Sequence, residues 1–420
     1  MSKTNSEGSA RRSAVGSEQF EIAVIGGGQA GLSVGYHLQQ QGRDFVVLDT
    51  NDRIGDAWRK RWDSLRLFTP VRYDGLPGMP FPAPAHMYPT KDEMADYLEA
   101  YAARFGLPVR AGVKVDGLSR RDGRFVVRAG DLRLEAENVV VATGGYHGPR
   151  VPSFAPELDP DILQLHSSEY RRPSQLRDGS MLVVGAGNSG AEICLDVARS
   201  HRVYLSGRHP GNEPTRPGSV ADRLVTPIIW FVFSHVLTVN TPFGRKAAAQ
   251  LRNHGLPLAR VRPADLLAAG VERIHARTVA ARDGLPLLDD GRLLDVTNVI
   301  WCTGYRPEFA WIDLPIFDGD GEPAHERGVI ATVPGLYFVG LFFLSAATSS
   351  LVGGVGRDAA YIADQIAARA GWSGPRRTNV GCSRVAQPPP WGSPGSEFPR
   401  SKARASERGK EQNDVYAKHG

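Results

Sequence analysis

Cysteine is scarce in this chain of 420 residues. The three cysteines are Cys194, Cys302 and Cys382, and no two of them form a C-x-x-C pair. Their scarcity argues against the dithiol relay of a disulfide reductase and against a disulfide-rich extracellular fold. Cys194 and Cys302 stand in apolar segments, so we expect both to be buried packing residues.

Long apolar runs are also missing. The segment 1–19 has no apolar core of the secretory type, so we expect a flexible leader and a cytoplasmic protein. The most apolar segment is 224–239, and a helix over 225–239 would be roughly 22 Å long, too short for the ~30 Å bilayer core. Pro227 would also interrupt it. We expect no transmembrane segment; a buried helix and a lipid-touching or substrate-channel wall stay open as alternatives.

The excess of positive over negative charge lies at one end of the chain. The formal net charge is +5, and the residues from Arg376 onward contain nine Lys or Arg against four Asp or Glu. The remainder is therefore nearly neutral, which argues against a nucleic-acid partner. We expect 373–420 to be a disordered basic tail, either a solvated extension or a tether to a membrane or partner. The lone histidines His86, His166 and His209 have no partner at metal-ligand spacing, so no metal site is expected.

Glycine is abundant, and two glycine-rich fingerprints recur at matched positions. In each, an apolar run precedes the glycines and a helical pattern follows them. This strand, tight turn and helix N-terminus is typical of a dinucleotide-binding unit, where free N–H groups and the helix dipole hold the pyrophosphate. The first fingerprint is Gly26, Gly28 and Gly31, and the second is Gly185, Gly187 and Gly190.

The residues that end the next strands have opposite charge. Asp49 lies 18 residues after Gly31, and Arg208 lies 18 residues after Gly190. A carboxylate accepts hydrogen bonds from ribose hydroxyls and repels a 2′-phosphate, whereas Arg208, with Ser206 and His209 beside it, can bind that phosphate. The sequence therefore predicts FAD at the first site and NADPH, with NADH as an alternative donor, at the second. Two such nucleotides in one chain indicate a flavoprotein reductase or monooxygenase.

The order of these patterns predicts an α/β fold with two Rossmann-like dinucleotide-binding domains, the NADPH domain being inserted into the FAD domain. A capped helix is expected after Thr90, with Glu93 completing a capping box and Gly106 ending it. Each unit should close with an apolar strand and a Thr-Gly turn. The expected organisation is a leader over 1–19, the FAD domain over 20–160 and 326–372, the NADPH domain over 161–325, and the tail over 373–420.

Ten ordered segments resemble the class B flavin-dependent monooxygenases, which include flavin-containing, YUCCA-type and Baeyer–Villiger monooxygenases. The closest in look are the small bacterial flavin-containing monooxygenases. Besides the two fingerprints, the matching segments are 54–58, 62–67, 79–82, 88–90, 142–144, 166–171, 302–305 and 335–340.

The resemblance implies a reaction and a set of cofactor-binding residues. NADPH would reduce the flavin, oxygen would add at flavin C4a to give a (hydro)peroxide, and a small organic substrate would be oxygenated. A sulfide or amine is the expected substrate, with a ketone or keto acid as alternatives. The FAD residues would be Gly26, Gly28, Gln29, Ala30, Gly31, Asp49, Gly55, Trp58, Arg66, Thr143, Gly144 and Gly340; the NADPH residues would be Gly185, Gly187, Asn188, Ser189, Gly190, Ser206, Arg208, His209, Thr303 and Gly304.

The sequence departs from the family pattern at Pro160 and Ile162 in one motif and at Phe68 elsewhere. Of the motif F-x-G-x-x-x-H-x-x-x-Y only the second half is present, as His166 and Tyr170. Phe68 stands where many members have an Asn that supports the oxygenated flavin. Catalytic residues are not predicted beyond the flavin-side candidates Phe68, Asn188 and Ser189.

Three functions stay open at this stage. The first is an FAD- and NADPH-dependent monooxygenase, with O2 and a small molecule as its reactants. The second is an NADPH oxidase or flavin reductase that releases hydrogen peroxide, which Phe68 favours. The third is a redox sensor or partner protein that binds both nucleotides. The sequence leaves the oligomeric state and peripheral membrane contact open.

Overall fold

Two sheets built mainly of parallel strands form the framework. The computed structural model describes residues 17–254, 256–319 and 321–371. The strands are β1 Glu18–Ile25, β2 Phe45–Leu48, β3 Val109–Arg110, β4 Gly117–Arg121, β5 Arg124–Ala129, β6 Leu132–Val141, β7 Gly148–Pro149, β8 Leu163–His166, β9 Ser180–Val184, β10 Arg202–Ser206, β11 Glu272–Ile274, β12 Thr278–Arg282, β13 Leu285–Leu288, β14 Asn298–Trp301, β15 Tyr305–Arg306 and β16 Leu336–Phe338.

Helices flank the sheets. Short 3-10 turns occur at 71–73, 155–157 and 173–175, and a π-helical turn follows α5 at Val232–Val236. The helices are α1 Gln29–Gln40, α2 Asp56–Arg59, α3 Lys91–Phe105, α4 Asn188–Val197, α5 Val220–Phe231, α6 Pro242–His254, α7 Pro263–Ala268 and α8 Val355–Arg369.

The first sheet has the order β3-β2-β1-β6-β5-β4, with β16 also paired to β6. Its central strands β1, β2 and the end of β6 are runs of Val, Ile, Ala and Leu, as expected where helices or loops cover both faces of a parallel sheet. Helices α1 and α8 pack together on one face. The other face packs against Phe309, Ile312 and Ile330. The chain therefore returns to this sheet after its long excursion through the second one.

The second sheet is wholly parallel, in the order β11-β10-β9-β14-β8. In each unit, a strand of the parallel sheet is followed by a glycine turn and then by a helix. The predicted α/β fold with two Rossmann-like units is therefore confirmed. Where the chain crosses between the units, β7 and β15 pair antiparallel.

Contacts of residues 311–313 bear on one expected domain boundary. The sequence assigned 161–325 to the inserted domain, but Leu118 in β4 accepts a hydrogen bond from the Asp313 amide at 2.8 Å and donates one to Trp311 O at 2.8 Å. Residues from Phe309 onward therefore pack on the first sheet. We propose that the inserted domain begins near 161 and ends near 308.

Helix α3 forms as predicted. The Thr90 hydroxyl accepts from the Glu93 amide, and the Glu93 carboxylate accepts from the Thr90 amide at 2.7 Å, so the capping box is complete. Gly106 ends the helix in the left-handed conformation, at φ 58°.

The apolar segment 224–239 differs from its expected form. Helix α5 begins at Val220, earlier than expected, and continues past Pro227 to Phe231. Pro227 removes one backbone hydrogen bond from the helix interior without ending the helix. The helix is not buried: Leu224 and Ile228 are 69% and 63% exposed. Among the described residues, no helix has the length and apolar character needed to cross a membrane. Residues 1–16 of the expected leader, and 372–420, where the tail was expected, lie outside the described ranges, whereas Glu18 and Gln19, also assigned to the leader, belong to β1.

Candidate dinucleotide-binding sites

The first glycine turn lies where β1 meets α1. Gly26 has φ 111°, and a side chain there would come within 2.6 Å of Ala142 O. A side chain at Gly31 would lie 1.8 Å from Gly26 O. Both glycines are therefore required by backbone packing. At Gly28, by contrast, a Cβ would meet no atom within 4 Å, so this glycine keeps open the space in front of the α1 N-terminus.

Asp49 lies at the end of β2 beside this turn. Its Oδ2 accepts a hydrogen bond from the Gly27 amide at 2.6 Å, and its Oδ1 accepts from the Asn51 amide at 2.8 Å. The carboxylate is buried and held against the turn. An acceptor fixed at this point is suited to a ribose hydroxyl.

The second glycine turn repeats the geometry of the first. Gly185 has φ 107°, and a side chain there would lie 2.3 Å from Cys302 O. A side chain at Gly190 would lie 1.9 Å from Gly185 O, whereas one at Gly187 would meet nothing within 4 Å. The end of β14 thus covers the second turn as the end of β6 covers the first. Each turn is followed by a helix whose N-terminal amides face the open side.

Arg208 and His209 follow β10 at the edge of the second site. Arg208 is exposed, and His209 Nε2 is buried without a hydrogen-bond partner among the described residues. Burial, together with the nearby Arg273 and His275, lowers the pKa of His209. Ser206 differs from expectation: it is fully buried, donates to Ala276 O at 2.8 Å and accepts from Thr278 at 3.0 Å. We leave Ser206 out of the proposed site.

Sequence reasoning missed two basic residues here. Arg273 in β11 donates to Gly207 O at 3.1 Å, and its pKa is lowered by burial. His275 comes directly after the end of the same strand. Both reach the second site because β11 pairs in parallel with β10, with Ile274 opposite Ser206. Nothing local in the sequence marks them, since about 65 residues separate the two strands.

The other predicted FAD residues cluster around the first turn or beside it. Gln29 and Ala30 open α1, and a side chain at Gly340 would lie 2.8 Å from the Ala30 Cβ. Thr143 and Gly144 continue β6, with Gly144 at φ 76°. The segment around Gly340 therefore lies against the first glycine turn.

Three further FAD candidates have partners within the protein. A side chain at Gly55 would lie 2.4 Å from Ala95 O, so packing of α2 on α3 alone accounts for this glycine. Trp58 is half-buried against the core. The exposed Arg66 donates to Tyr88 O at 3.1 Å. Contact of these three residues with FAD stays a prediction.

The flavin-side candidates are differently placed. Phe68 is half-buried in the loop before α3. Asn188, at the start of α4, donates to Pro257 O and accepts from the Ala259 amide, each at 3.0 Å, so its amide fixes the 257–259 segment. Ser189 is half-buried beside it.

Thr303 and Gly304 lie where the chain leaves the second unit. Gly304 O accepts from the Arg150 amide at 3.0 Å and lies 3.0 Å from His166 Nε2, while Thr303 donates to Arg150 O. Next along the chain, Tyr305 accepts a hydrogen bond from Arg61 at 2.9 Å. This turn therefore forms part of the crossing between the units, and its contact with NADPH stays a prediction.

A buried acid near Phe68 was also missed. Asp74 is fully buried; its Oδ1 accepts from the Thr69 hydroxyl at 2.5 Å, and its Oδ2 has no partner among the described residues. Burial raises the pKa of Asp74 to about 7 although the Thr69 bond lowers it. The sequence could not mark this residue, because an isolated Asp in a loop is ordinarily exposed.

Comparisons with known proteins agree with this geometry. Residues 23–241 match the family model described as pyridine nucleotide-disulphide oxidoreductase. The chain is 39% identical to the CzcO-like oxidoreductase of Geobacillus kaustophilus, over 82% of this chain and 98% of the relative. It is 30% identical to the probable indole-3-pyruvate monooxygenase YUCCA9 of Arabidopsis thaliana, over 71% of this chain and 79% of the relative. A solved flavin-containing monooxygenase from Stenotrophomonas maltophilia matches with a TM-score of 0.66 and 29% identity, over 84% of this chain and 99% of that one. The chain belongs to the class B flavin-dependent monooxygenases.

As a class B monooxygenase, the protein is an oxidoreductase that uses FAD and NADPH. The open spaces at Gly28 and Gly187 fit two dinucleotides, and the buried Asp49 and the unpartnered His209 Nε2 fit their discriminating groups. Burial raises the pKa of Cys194 and that of Cys302, the latter to about 12, so neither is a reactive thiolate. Within the described ranges, no group of three or more His, Cys, Asp or Glu is arranged to hold a metal ion.

Proposed function

We propose that this monooxygenase oxygenates a small soft nucleophile, a sulfide or an amine, with O2 and NADPH, and that FAD binds at the first glycine turn. A ketone or a keto acid is the second substrate class, because a YUCCA relative is named an indole-3-pyruvate monooxygenase.

One observation carries the proposal: two glycine turns have the same geometry, and the residues that follow the neighbouring strands, Asp49 and Arg208, have opposite charges. Asp49 is buried and accepts two backbone amides, whereas Arg208 is exposed beside an unpartnered histidine nitrogen. The first arrangement suits a ribose and the second a 2′-phosphate. Cys194 is buried, Cys302 is half-buried, and burial raises the pKa of both thiols, so the described part of the chain offers the electrons no thiol relay.

The residues of this chain would bind and orient the two nucleotides. The N-termini of α1 and α4 would hold the pyrophosphates, Asp49 the FAD ribose, and Arg208 with His209 the NADPH phosphate. Bound FAD would supply the electron transfer and oxygen chemistry. The half-buried Phe68 would exclude water on the flavin side, since its ring offers no hydrogen bond.

Reaction stoichiometry tests this function. Purified protein is supplied with NADPH and O2 and with one candidate substrate at a time from sulfides, amines, ketones and keto acids. Oxygenated product that matches the NADPH consumed is the expected result for at least one class. NADPH consumption without oxygenated product in every substrate class would overturn the proposal.

A peroxide-releasing NADPH oxidase is the second candidate, and Phe68 favours it. Many family members carry an amide at this place, and Phe cannot donate to an oxygen species. We expect Phe68→Asn to raise the ratio of oxygenated product to hydrogen peroxide. Phe68→Leu, which removes the same ring without adding an amide, serves as the control. An unchanged ratio in folded Phe68→Asn protein would remove Phe68 from the site.

A further inference from the structure

A row of large apolar side chains on helix α5 faces outward. Val220, Leu224, Ile228 and Phe231 are 75%, 69%, 63% and 58% exposed, and their spacing of four, four and three residues places them on one side of the helix. Phe243, at the start of α6, is 73% exposed. Single exposed apolar residues are ordinary, but an aligned row marks an interaction surface.

The opposite side of α5 is held firmly, so the helix cannot rotate to bury this row. The Trp230 ring stacks on Tyr73 with centroids 4.4 Å apart. The Tyr88 hydroxyl donates to Asp222 at 2.7 Å. Just beyond the helix, Arg357 donates to Ser234 O at 2.6 Å. These contacts tie the helix to the first unit and leave the apolar row as its solvent-facing side.

The exposed charges of the segment that carries the row have one sign. From Arg223 to His254 the sequence contains no Asp or Glu. Arg223, Arg245 and Lys246 are exposed there, whereas Asp222 is buried and accepts hydrogen bonds within the protein. An apolar row bordered by cations matches the interface of a bilayer that contains anionic lipids. Two copies of this chain meeting across a two-fold axis would instead bring like charges together.

We propose that the apolar row of Val220, Leu224, Ile228 and Phe231 docks on an anionic lipid bilayer, with α5 lying in the plane of the interface. This mode needs no spanning helix, because an in-plane helix buries only one side. The proposal is independent of the reaction the protein catalyses.

Vesicle co-sedimentation of the full chain tests the docking face. The probes are vesicles of phosphatidylcholine alone and vesicles that also contain phosphatidylserine. We expect wild-type protein to sediment with the second kind and to be partly released by salt, because the cations contribute. The variant L224Q/I228Q should bind at least tenfold more weakly, since two buried apolar side chains are lost.

The matched control is L267Q/V279Q, which changes apolar residues that are 77% and 41% exposed elsewhere on the protein. It should bind like wild type, and thermal melts and flavin absorbance should be the same in all three proteins. Unchanged binding of L224Q/I228Q would overturn the proposal, as would equal binding of wild type to both kinds of vesicle. Absence of vesicle binding, with dimers in sedimentation velocity that L224Q/I228Q disperses, would assign the face to a second copy instead.

Discussion

The Tyr88 hydroxyl donates a hydrogen bond to Oδ2 of Asp222 at 2.7 Å, and this bond joins the loop before α3 to the first turn of α5. Burial and the bond to Asp222 both raise the pKa of Tyr88. Burial also raises the pKa of Asp222, but hydrogen bonds from Thr226, Tyr88 and the Gly218 amide outweigh it, so that pKa lies below its ordinary value. The carboxylate is therefore ionised and links the two units.

We predict that Tyr88→Phe lowers the free energy of unfolding by about 1–3 kcal/mol, because a hydrogen bond to a charged group is lost. Urea unfolding at neutral pH measures it, in a double-mutant cycle with Asp222→Asn. Since the folded pKa of Asp222 is depressed, its contribution is present above the unfolded pKa and is lost as the pH falls through the folded pKa. Tyr204→Phe, on the second sheet, is the control. A coupling near zero in the cycle would show that the bond does not stabilise the junction.

The glycines at the two turns give a reciprocal pair of variants. A side chain at Gly28 or Gly187 meets no protein atom within 4 Å, and both have ordinary φ angles of about −80°. We predict that Gly28→Val folds but binds FAD at least tenfold more weakly and purifies colourless, because the valine fills the pyrophosphate space. Gly187→Val should stay yellow but resist reduction by NADPH.

Absorbance at the flavin band and stopped-flow reduction distinguish the two Val variants. Gly31→Val provides the contrast, since its side chain would lie 1.8 Å from Gly26 O and should prevent folding. A Gly28→Val protein with full FAD occupancy would refute the assignment of the first turn.

Local sequence signals predicted the parts of this fold that local chemistry determines. The glycine turns and the Thr90–Glu93 capping box follow from backbone geometry within a few residues. Features that depend on the pairing of strands far apart in the sequence could not be predicted from such local signals. Arg273 reaches the second site only through the pairing of β11 with β10, and the same part of the structure buries Ser206.

Helix α5 shows a second limit of sequence reasoning. Its periodic apolar residues predict a helix, but periodicity does not say whether the apolar side faces a core, a partner or solvent. The exposure of Leu224 and Ile228 is decided by Trp230, Tyr88 and Asp222 on the other side, which bind the helix in one orientation.

The buried Asp74 predicts an unusual pH dependence of stability. Its pKa of about 7 in the folded protein lies above the unfolded value, so the folded state holds the proton more tightly. Stability from this group is therefore present at low pH and lost as the pH rises towards 7. We predict that the free energy of unfolding of Asp74→Asn, measured relative to that of wild type, is higher at pH 8 than at pH 5 by on the order of 3 kcal/mol. Urea midpoints at the two pH values measure the difference. Asp122→Asn, in an exposed turn, should show no such change, and equal pH dependence in Asp74→Asn and wild type would contradict the prediction.

Coenzyme choice should depend on the cations at the end of β10. Arg208 is exposed there, and Arg273 is fixed beside it by its bond to Gly207 O. A charge-assisted contact to the 2′-phosphate contributes about 1.5–3 kcal/mol, so Arg208→Ala should lower kcat/KM for NADPH about ten- to a hundredfold and leave that for NADH nearly unchanged. Arg273→Ala should lower the NADPH value as well, because the half-buried guanidinium also holds the turn that carries Arg208.

The ratio of kcat/KM for NADPH and NADH is the measurement for both arginine variants. Arg202→Ala is the matched control: it removes an exposed arginine at the other end of β10, where Arg202 pairs with Glu272 at 3.3 Å. Its ratio should equal that of wild type, because no dinucleotide phosphate reaches the amino end of a parallel strand. A wild-type preference for NADH, or a ratio that stays the same in Arg208→Ala, would show that the charge reversal between Asp49 and Arg208 does not select the coenzyme. A change in Arg273→Ala alone would assign the 2′-phosphate to the cation on β11.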